Sequence, residues 1–142
     1  MKNSEIFNKL SPDAIEPKAA TPGSSGYDLF ASENGTIFPG EYKLVGTGIS
    51  INLPRAGWEA QVRSRSGLAA KHGVAVLNAP GTIDSDYKGE IKVILINHGK
   101  SNFSFSKGDR IAQLVITKVM IPIVEDPIKE VRGTGGFGST GV

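Results

Sequence analysis

Trp58-Glu-Ala-Gln-Val-Arg63 alternates apolar and polar side chains along its whole length. The same alternation runs through Ile49-Ser-Ile-Asn-Leu53 and Phe103-Ser-Phe-Ser106. Successive side chains of a strand point to opposite faces of its sheet, so a period of two is typical of strands with one buried and one exposed face. These stretches therefore predict β-strands and decide the fold class.

Three further stretches are more continuously apolar, as expected of strands that are covered on both faces. They are Val74-Ala-Val-Leu77, Ile91-Lys-Val-Ile-Leu-Ile96 and Ile111-Ala-Gln-Leu-Val-Ile116. Turn sequences separate the predicted strands: Phe38-Pro-Gly-Glu41, Leu53-Pro-Arg-Ala-Gly57, Asn97-His-Gly-Lys100 and Lys107-Gly-Asp109. Short strands at this spacing predict an all-β sandwich or barrel.

One stretch, Ser66-Gly-Leu-Ala-Ala-Lys-His72, has the pattern of a short helical turn. Ser66 is a suitable N-cap for it, and Gly73 is a suitable stop. The strand alternation ends at Glu125, so we expect a β-domain over residues 1–125 and a flexible tail over residues 126–142. A chain of 142 residues is long enough for one domain with a real core.

Composition disfavours several classes of function. The chain has no cysteine, and His72 and His98 lack a partner at ligand spacing, so we expect neither a disulfide framework nor a protein-built zinc site. No apolar run is long enough to span a membrane, and the first residues do not resemble a secretory signal. The net charge is +2, with Lys and Arg interspersed among acids, which disfavours binding to a nucleic-acid polymer. We therefore expect a soluble, cytoplasmic protein.

The C-terminal residues 132–142 contain one cation, Arg132, and one aromatic ring, Phe137, among five glycines and three hydroxyl side chains. Such a segment cannot form a core, and ordering its glycines is entropically expensive. An anion with a flat ring attached could order it, because the arginine would bind phosphate and the phenylalanine would stack on a base. The pattern favours a lid over a nucleotide, the alternative being an ordinary frayed terminus.

Four polar clusters lie beside the predicted strand ends. Ser25-Gly-Tyr-Asp-Leu29 has an acid beside a glycine turn, and Arg63-Ser-Arg-Ser-Gly-Leu-Ala69 has guanidinium groups, hydroxyls and helix-start amides that suit phosphate. Within residues 78–90, Asp84, Asp86 and Tyr87 lie on a predicted hairpin, and Gln113 lies within an apolar strand. Each cluster also has an ordinary explanation: an Asx turn, a helix cap, acids in a hairpin turn, or an amide bonded to backbone.

Together with the tail, these stretches resemble the five ordered motifs of the trimeric deoxyuridine triphosphatases, the dUTPases. The motifs are Gly26-Tyr-Asp-Leu29, Arg65-Ser-Gly-Leu-Ala69, Gly81-Thr-Ile-Asp-Ser-Asp-Tyr87, Gly108-Asp-Arg-Ile-Ala-Gln-Leu114 and Arg132-Gly-Thr-Gly-Gly-Phe-Gly-Ser-Thr-Gly141. Ser64 departs from a frequent proline of the family, and Lys88 from a frequent arginine. The resemblance implies a distorted jelly roll, a β-sandwich-like barrel with one short helical turn. It also implies a homotrimer whose active sites lie between subunits.

The implied reaction is hydrolysis of dUTP to dUMP and pyrophosphate by attack of water on the α-phosphorus. It would limit uracil incorporation into DNA and supply dUMP for thymidylate synthesis. Asp84 resembles the family's carboxylate that activates the water and meets the sugar 3′-hydroxyl. Tyr87 would pack against the deoxyribose where a 2′-hydroxyl would lie, or it simply covers the hairpin. The residues expected along uracil are Asn78, Gly81, Thr82 and Ile83.

The resemblance also assigns residues to the triphosphate. Those expected at the phosphates and the departing oxygen are Arg65, Ser66 and Gly67, with Lys92 either pointing to the substrate or solvated. Asp28 and Gln113 would meet Mg²⁺ or the α-phosphate through water, and the main Mg²⁺ ligands would be substrate phosphates. From the tail, Phe137 would stack on uracil, while Arg132, Gly138 and Ser139 would clasp the γ-phosphate.

Two other functions compete with this one. A dCTP deaminase would share the fold and bind a pyrimidine triphosphate, but it needs a glutamate at the base, where this hairpin reads Asp84-Ser-Asp-Tyr87. A non-catalytic dUTP-binding regulator would be expected to lack Asp84, Ser66 or Arg132, all of which are present. The resemblance therefore favours the hydrolase.

Overall fold

The computed structural model describes residues 3–122 and 132–141, and its secondary structure is dominated by short strands. In chain order the elements are α1 (Asn3–Ile6), β1 (Phe7–Lys9), β2 (Lys18–Ala19), β3 (Tyr27–Phe30), β4 (Gly35–Ile37), β5 (Tyr42–Gly46), β6 (Ile49–Ile51), β7 (Trp58–Arg63), α2 (Ser66–His72), β8 (Val74–Val76), β9 (Gly81–Asp84), β10 (Lys92–Asn97), β11 (Phe103–Phe105) and β12 (Arg110–Lys118). The all-β prediction is confirmed, and α1 is a single helical turn that the sequence pattern did not indicate. The predicted domain boundary at residue 125 lies outside the described residues.

The strands pair antiparallel in a five-stranded sheet of order β2-β3-β12-β7-β9 and a three-stranded sheet of order β5-β10-β8. Two smaller pairs, β1-β6 and β11-β4, complete the strands of the described part of the chain. None of these sheets closes on itself within that part, so the architecture is a sandwich rather than a closed barrel. Within the same residues, no helix is long and apolar enough to cross a membrane.

The hydrophobic core is formed by the inward side chains of both larger sheets together with those of the two smaller strand pairs, such as Ile51 and Phe105. Its fully buried members include Leu29 and Leu114 of the five-stranded sheet and Val93 and Leu95 of the three-stranded sheet. The outward side chains Ile94 and Ile96 of β10 are half-buried in the single chain, because the described residues cover only one face of this strand. The expectation that the continuously apolar strands are covered on both faces stays a prediction, since it concerns a face that a neighbouring copy would cover.

The helix α2 begins one residue earlier than a cap at Ser66 would place it. Arg65 occupies the N-cap position in an extended conformation and makes no side-chain capping bond, so Ser66 is the first helical residue. The predicted stop is confirmed, because Gly73 has a φ of 66° and its N–H donates to the carbonyls of Ala69 and Leu68. The hydroxyl of Ser66 is therefore not used to cap its own helix.

A fully buried amide, Asn97, ties the end of β10 to its surroundings. Its Nδ2 donates to the carbonyl of Ile37 at 2.9 Å and to that of Ser101 at 2.8 Å. Its Oδ1 accepts from the N–H of Gly99 at 2.8 Å. All the polar atoms of this side chain are thus paired, as burial requires.

Replacing Asn97 with Asp tests this arrangement because it keeps the shape and removes both donors. We expect Asn97→Asp to lower the free energy of unfolding by about 3 kcal/mol, since two carbonyls lose their donor and a carboxylate is buried. Urea denaturation at pH 7 would measure the free energy of unfolding. The matched change Asn102→Asp at an exposed position should shift this free energy by less than about 0.5 kcal/mol. Equal losses in both variants would contradict this account.

Candidate functional site

The strand β9 is one of the two edge strands of the five-stranded sheet, and it pairs with β7 along one edge only. Gly81 lies opposite Val62 of β7, and Asp84 lies opposite Glu59. Within the described chain, the outer edge of β9 has no strand partner, so its free N–H and C=O groups can bond a ligand. Gly81 is buried whereas Asp84 is exposed, which places the carboxylate on the outer polar face.

A pocket of about 200 Å³ lies beside β9. The predicted site residues that line it are Asn78, Gly81, Thr82, Ile83, Tyr87, Lys92, Arg132 and Phe137. The structure therefore brings together most of the residues that the resemblance assigns to uracil, sugar and lid, but Asp84 is not among the lining residues. Lining residues that sequence reasoning missed are Val62, Glu90, Ile91 and Gly136. The β7-β9 register places Val62 there, whereas Glu90 and Ile91 precede β10 and Gly136 belongs to the tail, and a single sequence reveals none of these placements.

Gly81 is required by the close approach of two pocket walls. A Cβ at this position would lie 3.2 Å from the Val62 Cβ and 3.5 Å from the Asn78 Nδ2. A side chain here would push the neighbouring strand or the Asn78 amide aside. The absence of a side chain keeps the pocket open where the free edge of β9 begins.

Tyr87 forms one wall of the pocket and is held in place at its hydroxyl. The hydroxyl donates to the carbonyl of Glu90 at 2.7 Å. Burial raises the pKa of Tyr87 above its ordinary value of 10.0, and the negative charge of Glu90 adds to the rise, while Arg132 opposes it. The phenol therefore stays neutral at physiological pH and serves as a packing surface and donor.

The tail lies against the hairpin of its own chain. The Arg132 Nη1 contacts the Asp84 carboxylate, and it is 3.7 Å from the Asp86 Oδ1. The guanidinium lies 5.2 Å from the centre of the Tyr87 ring, within cation–π distance. A Cβ at Gly136 would lie 2.9 Å from the Tyr87 Cε2, so this glycine permits the close approach.

Phe137 lines the pocket but keeps 62% of its surface exposed. Its φ of 48° is unusual for a residue other than glycine and costs about 1–2 kcal/mol. The predicted γ-phosphate residues Gly138 and Ser139 are exposed and are not among the pocket residues. An exposed ring held over a pocket mouth is able to stack on a flat ligand.

A second polar cluster forms around Asp28, which lies opposite Gln113 in the β3-β12 pairing. The Asp28 Oδ1 lies 3.7 Å from the Arg65 Nε, and its Oδ2 lies 3.6 Å from the Arg110 Nη1. The Gln113 Nε2 donates to the carbonyl of Ser64 at 3.1 Å. The NH2 group of this side-chain amide therefore bonds the backbone, which is the ordinary explanation given above for Gln113. Sequence reasoning did not single out Arg110.

The two clusters lie apart within one chain. Gln113 lies opposite Arg63 of β7, whereas Asp84 lies opposite Glu59 of the same strand. Four residues of strand span about 13 Å, and the two flanking strands are about 10 Å apart across β7. The structure therefore brings together the residues within each cluster, but it does not bring Asp84 to Asp28.

The oxygen donors around Asp28 fit a hard cation that keeps most of its water. Within residues 3–122 and 132–141, no three acidic or histidine side chains come close enough to hold a metal ion. Asp28 and Gln113 offer one carboxylate and one amide oxygen on neighbouring strands. Mg²⁺ is commonly bound by few protein oxygens together with water and substrate phosphates.

Comparison with known proteins identifies relatives of the whole chain. A model of the dUTPase family matches residues 13–141. A deoxyuridine 5′-triphosphate nucleotidohydrolase of Anaeromyxobacter sp. (strain Fw109-5) is 55% identical over 128 residues, which cover 88% of this chain and 86% of the relative. One of Clostridium acetobutylicum is 54% identical over 140 residues, which cover 96% and 95%.

Solved structures support the same fold. A mutant dUTPase from phage phi11 of S. aureus, whose structure concerns a structural Mg(II) ion, matches with a TM-score of 0.77 at 23% identity, over 87% of this chain and 95% of that one. A Staphylococcus bacteriophage 80alpha dUTPase mutant with dUpNHpp matches with a TM-score of 0.76 at 26% identity, over 96% and 97%. The predicted jelly-roll fold is thereby confirmed.

The raised pKa of Tyr87 gives a prediction about pH. Difference absorbance between the parent and Tyr87→Phe should show a phenol that ionises above pH 10. Because the folded pKa is raised, the stability linked to this group is present below pH 10 and is lost as the pH rises through the folded pKa. Tyr42→Phe, at a tyrosine with 66% of its surface exposed, is the control. A Tyr87 midpoint at or below that of Tyr42 would refute the assignment.

Proposed function

The chain belongs to the dUTPase family, and from that premise we propose that it hydrolyses dUTP to dUMP and pyrophosphate by attack of water on the α-phosphorus. The observation that carries the proposal is the pocket beside the free edge of β9, which Tyr87 and Phe137 line, with the Asp84 carboxylate in contact with another lining residue, Arg132. The neutral Tyr87 ring suits a sugar, the exposed Asp84 carboxylate suits a water molecule, and the exposed Phe137 ring suits a flat base.

Uracil would be recognised by the backbone of β9. An N–H of this edge would donate to the uracil O4, and a C=O would accept from N3–H, with Asn78, Gly81, Thr82 and Ile83 along the base. Cytosine reverses both groups, and each mispaired buried polar atom costs about 1–3 kcal/mol. This reversal is the reason to prefer a dUTP hydrolase over a deaminase acting on a cytosine nucleotide.

Asp84 would orient and activate the attacking water and bond the sugar 3′-hydroxyl. Its side chain keeps 56% of its surface exposed, so water can reach it. Arg132 contacts this carboxylate, and an oxygen bonded to a guanidinium is not free to orient a water molecule. In the substrate complex, Arg132 would instead clasp the γ-phosphate with Gly138 and Ser139, which leaves Asp84 to the water. Tyr87 would fill the place of a 2′-hydroxyl.

The Asp28 cluster would act on the triphosphate. Arg65, Ser66 and Gly67 would bind phosphate oxygens, which fits a serine hydroxyl that does not cap its helix and a glycine with open space around it. Lys92, at the pocket, would add a further positive charge. Asp28 and Gln113 would hold the water of a Mg²⁺ ion, which neutralises phosphate charge when it is bound.

We propose a homotrimer, the assembly that the family resemblance implies, because the described residues of one chain do not form a complete site. The separation of about 13 Å along β7 and about 10 Å across it keeps Asp84 away from the Asp28 cluster. Catalysis requires the water and the phosphate ligands around one α-phosphorus. A neighbouring copy that presents its Asp28 cluster to this hairpin supplies that arrangement.

We propose that residues 126–142 form a flexible tail on a β-domain of residues 1–125. The tail would close over the bound nucleotide, with Phe137 stacked on uracil. The protein would work in the cytoplasm, where hydrolysis of dUTP limits uracil in DNA and supplies dUMP. The composition supports this location, because a chain without cysteine needs no oxidising compartment.

The general test is an assay of pyrophosphate release from dUTP and dCTP with Mg²⁺, with uracil and cytosine products distinguished. We expect dUMP and pyrophosphate from dUTP and little turnover of dCTP. Deamination of dCTP would support the deaminase, and binding of dUTP without turnover would support a regulator.

The first functional prediction concerns Asp84→Asn. The amide keeps the shape and can still bond the sugar, so kcat should fall about a hundredfold or more with little change in KM. Steady-state kinetics with dUTP would measure both constants. Asp13→Asn, at an exposed aspartate that pairs with Lys107, is a matched control and should leave both unchanged. Near-parental turnover by Asp84→Asn would remove this residue from the base role.

The second functional prediction concerns the tail. A chain ending at Glu130 should fold and assemble as the parent does, yet lose most of its activity, because residues 132–141 add no member to the core. In the full chain, tail amides should gain protection from hydrogen exchange when a non-hydrolysable dUTP analogue binds. Phe137→Ala should weaken binding of the analogue, and Phe38→Ala, at another exposed ring, should not. Full activity in the truncated chain would contradict the lid.

A further inference from the structure

The pairing of β12 with β3 is irregular where β12 begins. Gln113 lies opposite Asp28 and Ala112 opposite Leu29, but Arg110 then lies opposite Phe30, so the register shifts between Arg110 and Ala112 as at a β-bulge. The bulge interrupts the alternation of buried and exposed side chains along β12. As a result, the two neighbours Ile111 and Ala112 are both buried, at 1% and 0% exposure.

The bulge decides which face Arg110 occupies. Without it, strict alternation from Gln113 would place Ile111 on the polar face and Arg110 on the core face. One extra residue reverses this, so Arg110 shares the face of Asp28 and Gln113. A charged side chain is thereby directed away from the core and toward a carboxylate.

Arg110 contacts the Asp28 cluster at two points. Its Nη1 lies 3.6 Å from the Asp28 Oδ2, while Arg65 holds the other oxygen of the same carboxylate at 3.7 Å. Its backbone carbonyl accepts from the Arg65 Nη1 at 3.0 Å. The carboxylate is therefore held between two guanidinium groups, and one of them is also fixed by the backbone of the other.

We propose that Arg110 is a positioning residue, placed by the bulge, that fixes the Asp28 carboxylate and through it the Arg65 guanidinium for a triphosphate with its Mg²⁺. This inference rests on the proposed function and adds a residue to it. Without Arg110, Asp28 would have Arg65 as its main partner and would turn toward it. Arg65 would then be less available to phosphate, and Asp28 to the water around the cation.

The ion pair itself contributes little to the fold. Arg110 keeps 54% of its side-chain surface exposed, and exposed pairs add little stability because water screens them. Removal of the charge should therefore leave the thermal midpoint nearly unchanged while it disturbs the site. This difference separates a positioning role from a structural one.

The test compares Arg110→Gln, Arg110→Lys, Asp28→Asn and the double variant with the parent. The matched control is Arg55→Gln, an identical change at an exposed arginine in the turn before β7. Steady-state kinetics over a range of Mg²⁺ concentrations would give kcat, KM and the half-activating Mg²⁺ concentration. Calorimetry would give the Kd of α,β-imido-dUTP with and without Mg²⁺, and thermal melting would report the fold.

We expect Arg110→Gln to raise KM and the analogue Kd about tenfold, the ratio that corresponds to ~1.4 kcal/mol, and to raise the half-activating Mg²⁺ concentration. Arg110→Lys should recover part of this loss because it keeps the charge. In the Asp28→Asn background, Arg110→Gln should add less than about a twofold change, since its effect passes through Asp28.

Two results would overturn the inference while the parent remains active on dUTP. One is an Arg110→Gln variant that matches Arg55→Gln in every measurement. The other is a full tenfold effect that persists in the Asp28→Asn background, which would mean that Arg110 acts on the substrate directly. A parent inert toward dUTP would overturn the proposed function, and this inference with it.

Discussion

The double pairing of β7 is the constraint on which the rest of the site depends. This strand pairs with β12 along one edge and with β9 along the other, and its side chains at Ala60 and Val62 are buried in the core. Because the core fixes the register, it also fixes the polar face. On that face, Glu59 lies opposite Asp84 of β9, and Arg63 lies opposite Gln113 of β12. The core of the sandwich thus determines where both polar clusters lie.

The distance between those rows links packing to assembly. A strand cannot bring two residues on its own neighbours closer than its rise and strand spacing allow, and here that spacing separates Asp84, the proposed base, from the Asp28 cluster that is proposed to bind phosphate. Sliding β9 by four residues would bring the two into one row, still about 10 Å apart across β7, and would carry Ile83 away from its place in the core beside Ala60. The proposed association with another copy would leave the core intact. A shared site would therefore follow from a well-packed monomer.

Much of this fold can be predicted from the sequence because the alternation of β7 and the apolar runs of β10 and β12 report burial directly. The stop at Gly73 is equally local, since a left-handed residue requires glycine. The features that could not be predicted from the sequence depend on how the strands pair. The bulge beside Ile111 changes the face of Arg110 without any turn residue to mark it, and Ser66 resembles a cap although Arg65 holds that position. Likewise, the place of Val62 in the pocket follows from its pairing with Gly81.

Arg132 links the hairpin to the proposed chemistry through competition between anions. It lies against Asp84, Asp86 and the Tyr87 ring, where two carboxylates hold one guanidinium. A triphosphate offers denser negative charge and bidentate geometry, so it is the stronger partner for arginine. In the proposed complex, transfer of Arg132 to phosphate would close the tail and would also release the Asp84 carboxylate oxygen that the guanidinium contacts. One ion-pair exchange would thus free the proposed base for water as the substrate is enclosed, so the tail would both cover the site and control access to its carboxylate.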